Sequence, residues 1–272
     1  MKITEGRFII FSLLAIVLLM VIHLFQPQIL TIYNPANYVG FHALLEIFSI
    51  SISAAIFLYG LKCYGKSHSS RMLLLSFTFL LVGTLDLLHT LSFKGMPFFI
   101  TESSVAKATW FWVSARAIQS LFILSILLIP ERNLKRDYRG GSVIIGMVAA
   151  ITVSYLIIHF ENRLPVLMVE GSGTTRLKNG IEYVISFIQF VSLIITLYQY
   201  HVDKSEAKLS IALAFVYLLL TELIFTIYQS VFDLDNFTGH ILKAAGFYFI
   251  LKSFYFLNQE SESAYFDSVS IK

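Results

Sequence analysis

Apolar runs of about twenty residues recur along the whole chain, and that recurrence leaves few folds open. The hydrocarbon core of a bilayer takes about 20 such residues per helix. Eight segments meet that length, at 8–26, 40–61, 72–92, 107–130, 142–160, 181–201, 209–232 and 237–257. All five prolines (Pro27, Pro35, Pro97, Pro130, Pro165) fall in the connections or at segment ends, where a missing N–H does least harm. Charged residues make up 14% of the chain, against about 25% in soluble domains. The expected fold class is therefore all-α, a polytopic transmembrane helical bundle of about eight spans. Lys2 and Arg7 precede the first run as in a signal peptide, but the run is too long and no small-residue cleavage site follows, so it reads as a retained span.

Orientation follows from the basic residues. With the N-terminus inside, thirteen of the twenty Lys and Arg fall on the cytoplasmic side, among them Arg132, Lys135, Arg136 and Arg139. Five fall outside: Lys94, Lys107, Arg163, Arg176 and Lys178. Arg116 and Lys243 lie within spans. The positive-inside rule then puts both termini in the cytoplasm, which an even number of spans requires. The basic cluster at 132–139 also suits contact with anionic membrane lipid. The net charge of +3 is spread over short loops, so no nucleic-acid partner is expected. Cys63 is the only cysteine, which excludes an intrachain disulfide. Outer connections longer than the minimum are expected at 27–39, 93–106 and 161–180, the last containing the turn-like stretch GSGTT, Gly171 to Thr175.

Ionisable residues interrupt these runs. His42 and Glu46, Asp86 and His89, and His240 and Lys243 stand three or four apart, which puts each pair on one helix face. An ionisable group inside a membrane costs about 2.5–3.5 kcal/mol even on a lenient insertion scale, so these groups must pair, hydrate or be used. With the orientation above, all six fall within roughly 15 Å of the outer boundary at 1.5 Å rise per residue. Arg116 and Glu222 fall at the same depth. The plainest reading is an ion-pair network that fixes helix packing, with Glu46, Asp86 and Glu222 offsetting Arg116, Lys243 and a charged histidine. The sharper reading is a ligand or signalling pocket that opens outward, built from His42, Glu46, Asp86, His89, Arg116, Glu222, His240 and Lys243. Within it His42, Glu46, Asp86 and His89 are candidate ligands for a transition-metal ion, since imidazole and carboxylate suit Zn, Cu, Fe or Ni. A simple ion or an organic ligand fits better than haem. Phe98, Phe99, Trp110, Phe111 and Trp112 read as an interfacial aromatic belt. Ser49, Ser51 and Ser53 read as small residues at a helix contact. No GxSxG, HExxH or P-loop motif is present, so a catalytic role is not expected.

Several stretches closely resemble the membrane-associated sensor domain MASE3. They are LDLLHTLSFKGMP (Leu85 to Pro97), ATWFWVSAR (Ala108 to Arg116), FHALLEIFSISISAAIF (Phe41 to Phe57), LPVLMVEGSGTTRLKNGIEYVI (Leu164 to Ile185) and TELIFTIYQSVFDLDNFTGHILKAAGFYFI (Thr221 to Ile250). The resemblance implies a bacterial integral-membrane sensory input module in the cytoplasmic (inner) membrane, standing before a histidine kinase or diguanylate cyclase domain. It thereby implies two-component or cyclic-di-GMP signalling. The expected organisation is a transmembrane sensor domain over 1–257 and a short cytoplasmic tail, or the start of a linker to an output domain, over 258–272. The chain either acts on such a domain in cis or works through a partner in trans. The expected partners are a ligand from the outer side, membrane lipid, the cytoplasmic signalling domain and a second copy in a homodimer. Two other classes use the same buried charges. A small-molecule transporter would carry inverted repeats and helices broken at the midplane. A membrane-embedded metal-binding protein or metalloenzyme would keep an open metal position.

Overall fold

The computed structural model describes the backbone of residues 4–98 and 100–270 and the side chains through residue 254. Phe99, Lys2 and Lys272 lie outside the described residues. The chain forms helices α1 (Glu5–Leu24), α2 (Gln26–Ile32), α3 (Tyr38–Ser67), α4 (Ser70–Ser92), α5 (Val105–Leu128), α6 (Arg139–His159), α7 (Arg176–Asp203), α8 (Glu206–Ile224) and α9 (Leu234–Ser270). A two-stranded hairpin, β1 (Met168–Val169) and β2 (Gly173–Thr174), lies between α6 and α7. Among the described residues, α1, α3 to α8 are long and apolar enough to cross a membrane, seven helices in all. The eighth expected segment is α9. It carries His240, Lys243 and Lys252, yet Leu242, Lys243 and Phe247 are fully buried. Its polar side chains meet protein rather than lipid, which is where a bundle places them.

Local sequence sets the helix starts. The Ser69 hydroxyl accepts the N–H of Met72 at 3.2 Å, Ser104 that of Lys107 at 3.0 Å and Thr175 that of Lys178 at 3.3 Å. Each satisfies one of the donors that a helix N-terminus leaves free. The helices alternate in direction. At one end of the bundle Glu5 meets Lys204 at 3.1 Å, and the Tyr64 hydroxyl donates to the Arg136 carbonyl at 2.8 Å. At the other, the hairpin end, the Tyr33 hydroxyl donates to the Phe232 carbonyl at 2.8 Å, and Thr174 Oγ1 to the Thr226 carbonyl at 3.0 Å.

The most closely packed pair is α8/α9, with α7 and α1 against α8 and α3 against α9, while α4 and α5 join α3 to α7. Gly246 permits a close approach there: a Cβ on it would stand 3.3 Å from the Ala214 carbonyl and 2.8 Å from Leu218. Small residues at such crossings let backbones approach without a side-chain spacer. Ser49 and Ser53 serve α3 in this way. They are buried and bond back to the Leu45 and Ser49 carbonyls, whereas Ser51 is on the exposed face. Helices α1 and α6 are peripheral. Only Ala15 of α1 is buried, and only Gly146, Ala150 and Ile157 of α6.

Three connections differ from expectation. The stretch 27–39 holds α2 and a short 3-10 turn, Pro35–Asn37. The stretch 161–180 holds the hairpin and the first turn of α7, so Lys178 is a helical, fully buried residue and not a loop charge. Helix α8 stops at Ile224, not at 232. The Asp233 carboxylate accepts the N–H groups of Gln229, Ser230 and Asn236, folding 225–233 into a tight connection. A helix through 232 would forfeit those bonds.

Candidate functional site

Five helices share one pattern along their length. Toward the hairpin end Tyr38 of α3, Trp112 of α5 and Phe93 and Phe225 at the ends of α4 and α8 join Leu167, Met168 and Tyr228 in one apolar cluster, with Phe237 of α9 packed against it. Toward the other end they present Ile56, Phe79, Val82, Ile123, Leu218 and Phe247, part of a second cluster. Between the two, the polar residues of α3, α4, α5, α8 and α9 form a buried layer. His42, Glu46, Asp86, Arg116, Glu222, His240 and Lys243 are each at most 1% exposed, and His89 is 5% exposed. All eight residues singled out by spacing and depth therefore face the interior.

The first part of the layer is a histidine and carboxylate group. His42 Nε2 and His89 Nε2 are 3.2 Å apart. His89 Nδ1 lies 2.8 Å from the Ala108 carbonyl, which can only accept, so Nδ1 carries the hydrogen and Nε2 keeps its lone pair. His240 Nδ1 is 2.6 Å from Glu46 Oε1. One donor atom from each of His42, Glu46, His89 and His240 lies within 4.8 Å of every other. Phe93 stacks on His42 with ring centroids 3.8 Å apart, and Trp112 lies against His89 and His240 at 5.5 and 5.1 Å.

The second part is a chain of ion pairs. Lys243 Nζ donates to Glu46 Oε2 at 2.7 Å and stands 3.6 Å from Asp86 Oδ2. Arg116 Nη2 donates to both Asp86 oxygens at 2.7 Å, and Nη1 donates to Gln119. The Trp112 ring faces both cations, with Arg116 at 5.0 Å and Lys243 at 4.8 Å from its centroid, a favourable placement for buried charge. Asp86 is thus held by the cations, and His240 stands in the four-donor group where Asp86 was expected.

Glu222 belongs to a third part on the far side of α8. Gln189 Nε2 donates to it at 3.4 Å, and Glu182 lies beside it. Lys178 Nζ donates to Glu182 at 2.8 Å and to the Phe225 carbonyl at 2.8 Å. Lys178, Glu182, Gln119 and Gln189 escaped the sequence reading, although Lys178 and Glu182 have the i, i+4 spacing that marked the other pairs. Phe111 and Trp112 are interior, 0% and 3% exposed, not members of an interfacial belt. Trp112 stands one turn before Arg116 and shares its inward face. Phe98, 70% exposed, remains at the surface, and Trp110 donates to the Pro165 carbonyl at 3.1 Å.

A narrow cavity at the hairpin end reaches this layer. His89, Phe93, Ala108, Trp112, Phe225 and His240 line it, and it holds about 20 Å³. That is room for one water or one ion, not for a haem.

The family model of the membrane-associated sensor domain MASE3 matches residues 33–258, which include every residue of the layer. The chain belongs to that family. No curated protein and no solved structure matches the chain.

Proposed function

We propose that this membrane-associated sensor domain is the input module of a bacterial signalling protein. It sits in the cytoplasmic membrane as a multi-pass homodimer with both termini inside. A ligand arriving from the extracytoplasmic side, the hairpin end, engages the buried layer. Helix α9 passes the resulting rearrangement to a cytoplasmic histidine kinase or diguanylate cyclase domain, in cis or in trans.

One observation carries this reading. His240 and Lys243 sit inside the layer, and the helix that holds them continues without a break to Ser270. A ligand can shift a helix equilibrium only by its differential affinity for two arrangements. Lys243 has carboxylates of two different helices within reach, which supports a reading in which the ammonium exchanges between them. The transporter reading gains less support. Helices α3, α4, α5 and α9 run unbroken past the layer, whereas alternating access typically uses helices interrupted at the binding site.

The test is a chimera with a diguanylate cyclase joined after the last residue of the chain. Asp86→Asn and His89→Ala should change its cyclic-di-GMP output at unchanged membrane expression. Wild-type output from both variants would make the layer purely structural.

A further inference from the structure

The four-donor group has the dimensions of a metal site. Tetrahedral zinc binds nitrogen at about 2.0–2.1 Å, which sets two ligand nitrogens about 3.3 Å apart. The Nε2 atoms of His42 and His89 are at 3.2 Å. The widest donor pair, at up to 4.8 Å, must close by up to about 1.5 Å to reach that geometry. The surroundings also fit. A metal-bound histidine almost always donates its second N–H to a carbonyl or carboxylate, as His89 does to Ala108. His42 Nδ1 is fully buried without a hydrogen-bond partner, so the only hydrogen bond that an ion would displace from His42 is the one to His89. The lining of the small cavity puts His89 and His240 at its wall, which gives an ion an approach from the hairpin end.

Lys243 is the obstacle, since its ammonium already occupies Glu46. Asp86 lies 3.6 Å from the same nitrogen, close enough to receive it. We propose that the site binds a first-row transition-metal dication through His42, His89 and His240 with Glu46 as fourth donor, and that its arrival moves Lys243 from Glu46 toward Asp86. The ion would tie α3, α4 and α9 together, and the shift of Lys243 would fall on α9. This inference rests on the sensor reading for its consequence but not for the binding itself.

The test uses the full chain in lipid nanodiscs, stripped with a chelator and titrated with Zn²⁺ and with Co²⁺. One ion per chain is expected, with the visible absorption of tetrahedral Co²⁺. X-ray absorption of the zinc-loaded wild-type protein should report three imidazoles, a readout that needs no variant to fold. His89→Ala and His240→Ala should each weaken binding by more than the roughly 10–100-fold that loss of an outer-shell partner costs. His159→Ala, on an exposed histidine stacked against Tyr155, should leave binding unchanged. Lys243→Met should tighten binding. No stoichiometric ion, fewer than three imidazoles, or binding that survives His89→Ala and His240→Ala overturns the inference. The cyclase chimera separates the two readings. Output altered by Asp86→Asn without any metal binding would sink the metal site and keep the sensor. Three-imidazole binding with output indifferent to zinc, chelator and Asp86→Asn would keep the site and sink the sensor.

Discussion

The Lys178 ammonium on α7 donates to the Phe225 carbonyl at the end of α8, at 2.8 Å. A cation from one helix thereby closes the last turn of its neighbour, where the helix dipole and the free carbonyls favour positive charge. The same nitrogen holds Glu182. Lys178→Met leaves a buried carboxylate unpaired and a carbonyl without its donor. We expect a loss of about 3–5 kcal/mol, the usual cost of breaking a buried pair from one side. Thermal unfolding of the purified protein measures it. A change within about 0.5 kcal/mol, typical of a surface site, would show that water replaces the ammonium.

The pair of Glu46 and Lys243 should be strongly non-additive. Each is fully buried, on helices far apart in sequence. Lys243→Met alone should destabilise by about 3–5 kcal/mol, and Glu46→Leu with Lys243→Met should recover most of that loss, because both charges then leave the interior together. A double-mutant cycle on unfolding free energies decides it. Additive losses would mean that the two charges are stabilised separately, Lys243 by Asp86 and Glu46 by His240.

Gly239 is a steric check on the cavity. A Cβ there would stand 2.5 Å from two Phe225 ring carbons and 3.1 Å from Ile224. The ring must turn to admit it, and Phe225 packs against Trp112 and His240. Gly239→Ala should cost about 1–3 kcal/mol, as overpacking does, and should change Trp112 fluorescence. Unchanged stability and emission would show that the ring yields freely.

Topology is open to a direct measurement. Thirteen basic residues against four, once the buried Lys178 is set aside, favour the hairpin end outside. Cysteine-free protein (Cys63→Ser) with single cysteines at Gly171 and at Ser205 should label with a membrane-impermeant maleimide only at position 171 in intact cells. The reverse pattern would invert the bundle and put the cavity on the cytoplasmic side.

Much of this was legible in the sequence, for a physical reason. Apolar runs of bilayer length mark the helices, and ionisable groups within them must turn inward, so His42, Glu46, Asp86, His89 and their companions announced a buried layer. Local spacing showed which residues share a face but not which residues bond. Glu46 meets Lys243 and Asp86 meets Arg116 across helix contacts, and those pairings depend on which helices pack together. Lys178 and Glu182 were hidden by their position. Lys178 stands three residues after the GSGTT turn and Glu182 at the edge of the expected 181–201 span, and charges at such an end read as solvated until Thr175 is seen to cap a helix there. The end of α8 was missed because Asp233 acts through backbone N–H groups, which leave no mark on the apolar pattern.

The unbroken course of α9 makes angular phase the natural currency of output. From Lys243 to Ser270 the helix extends about 40 Å at 1.5 Å per residue. A small rotation of α9 at Glu46 reappears at the far end as the same rotation, whatever the residues between. A cyclase joined there, as in the proposed chimera, would read an angle, not a distance. Inserting one residue after residue 254 would turn it by about 100°, whereas inserting seven would return it to within about 20°. Signalling by such an arm should therefore rise and fall with linker length at the helical period.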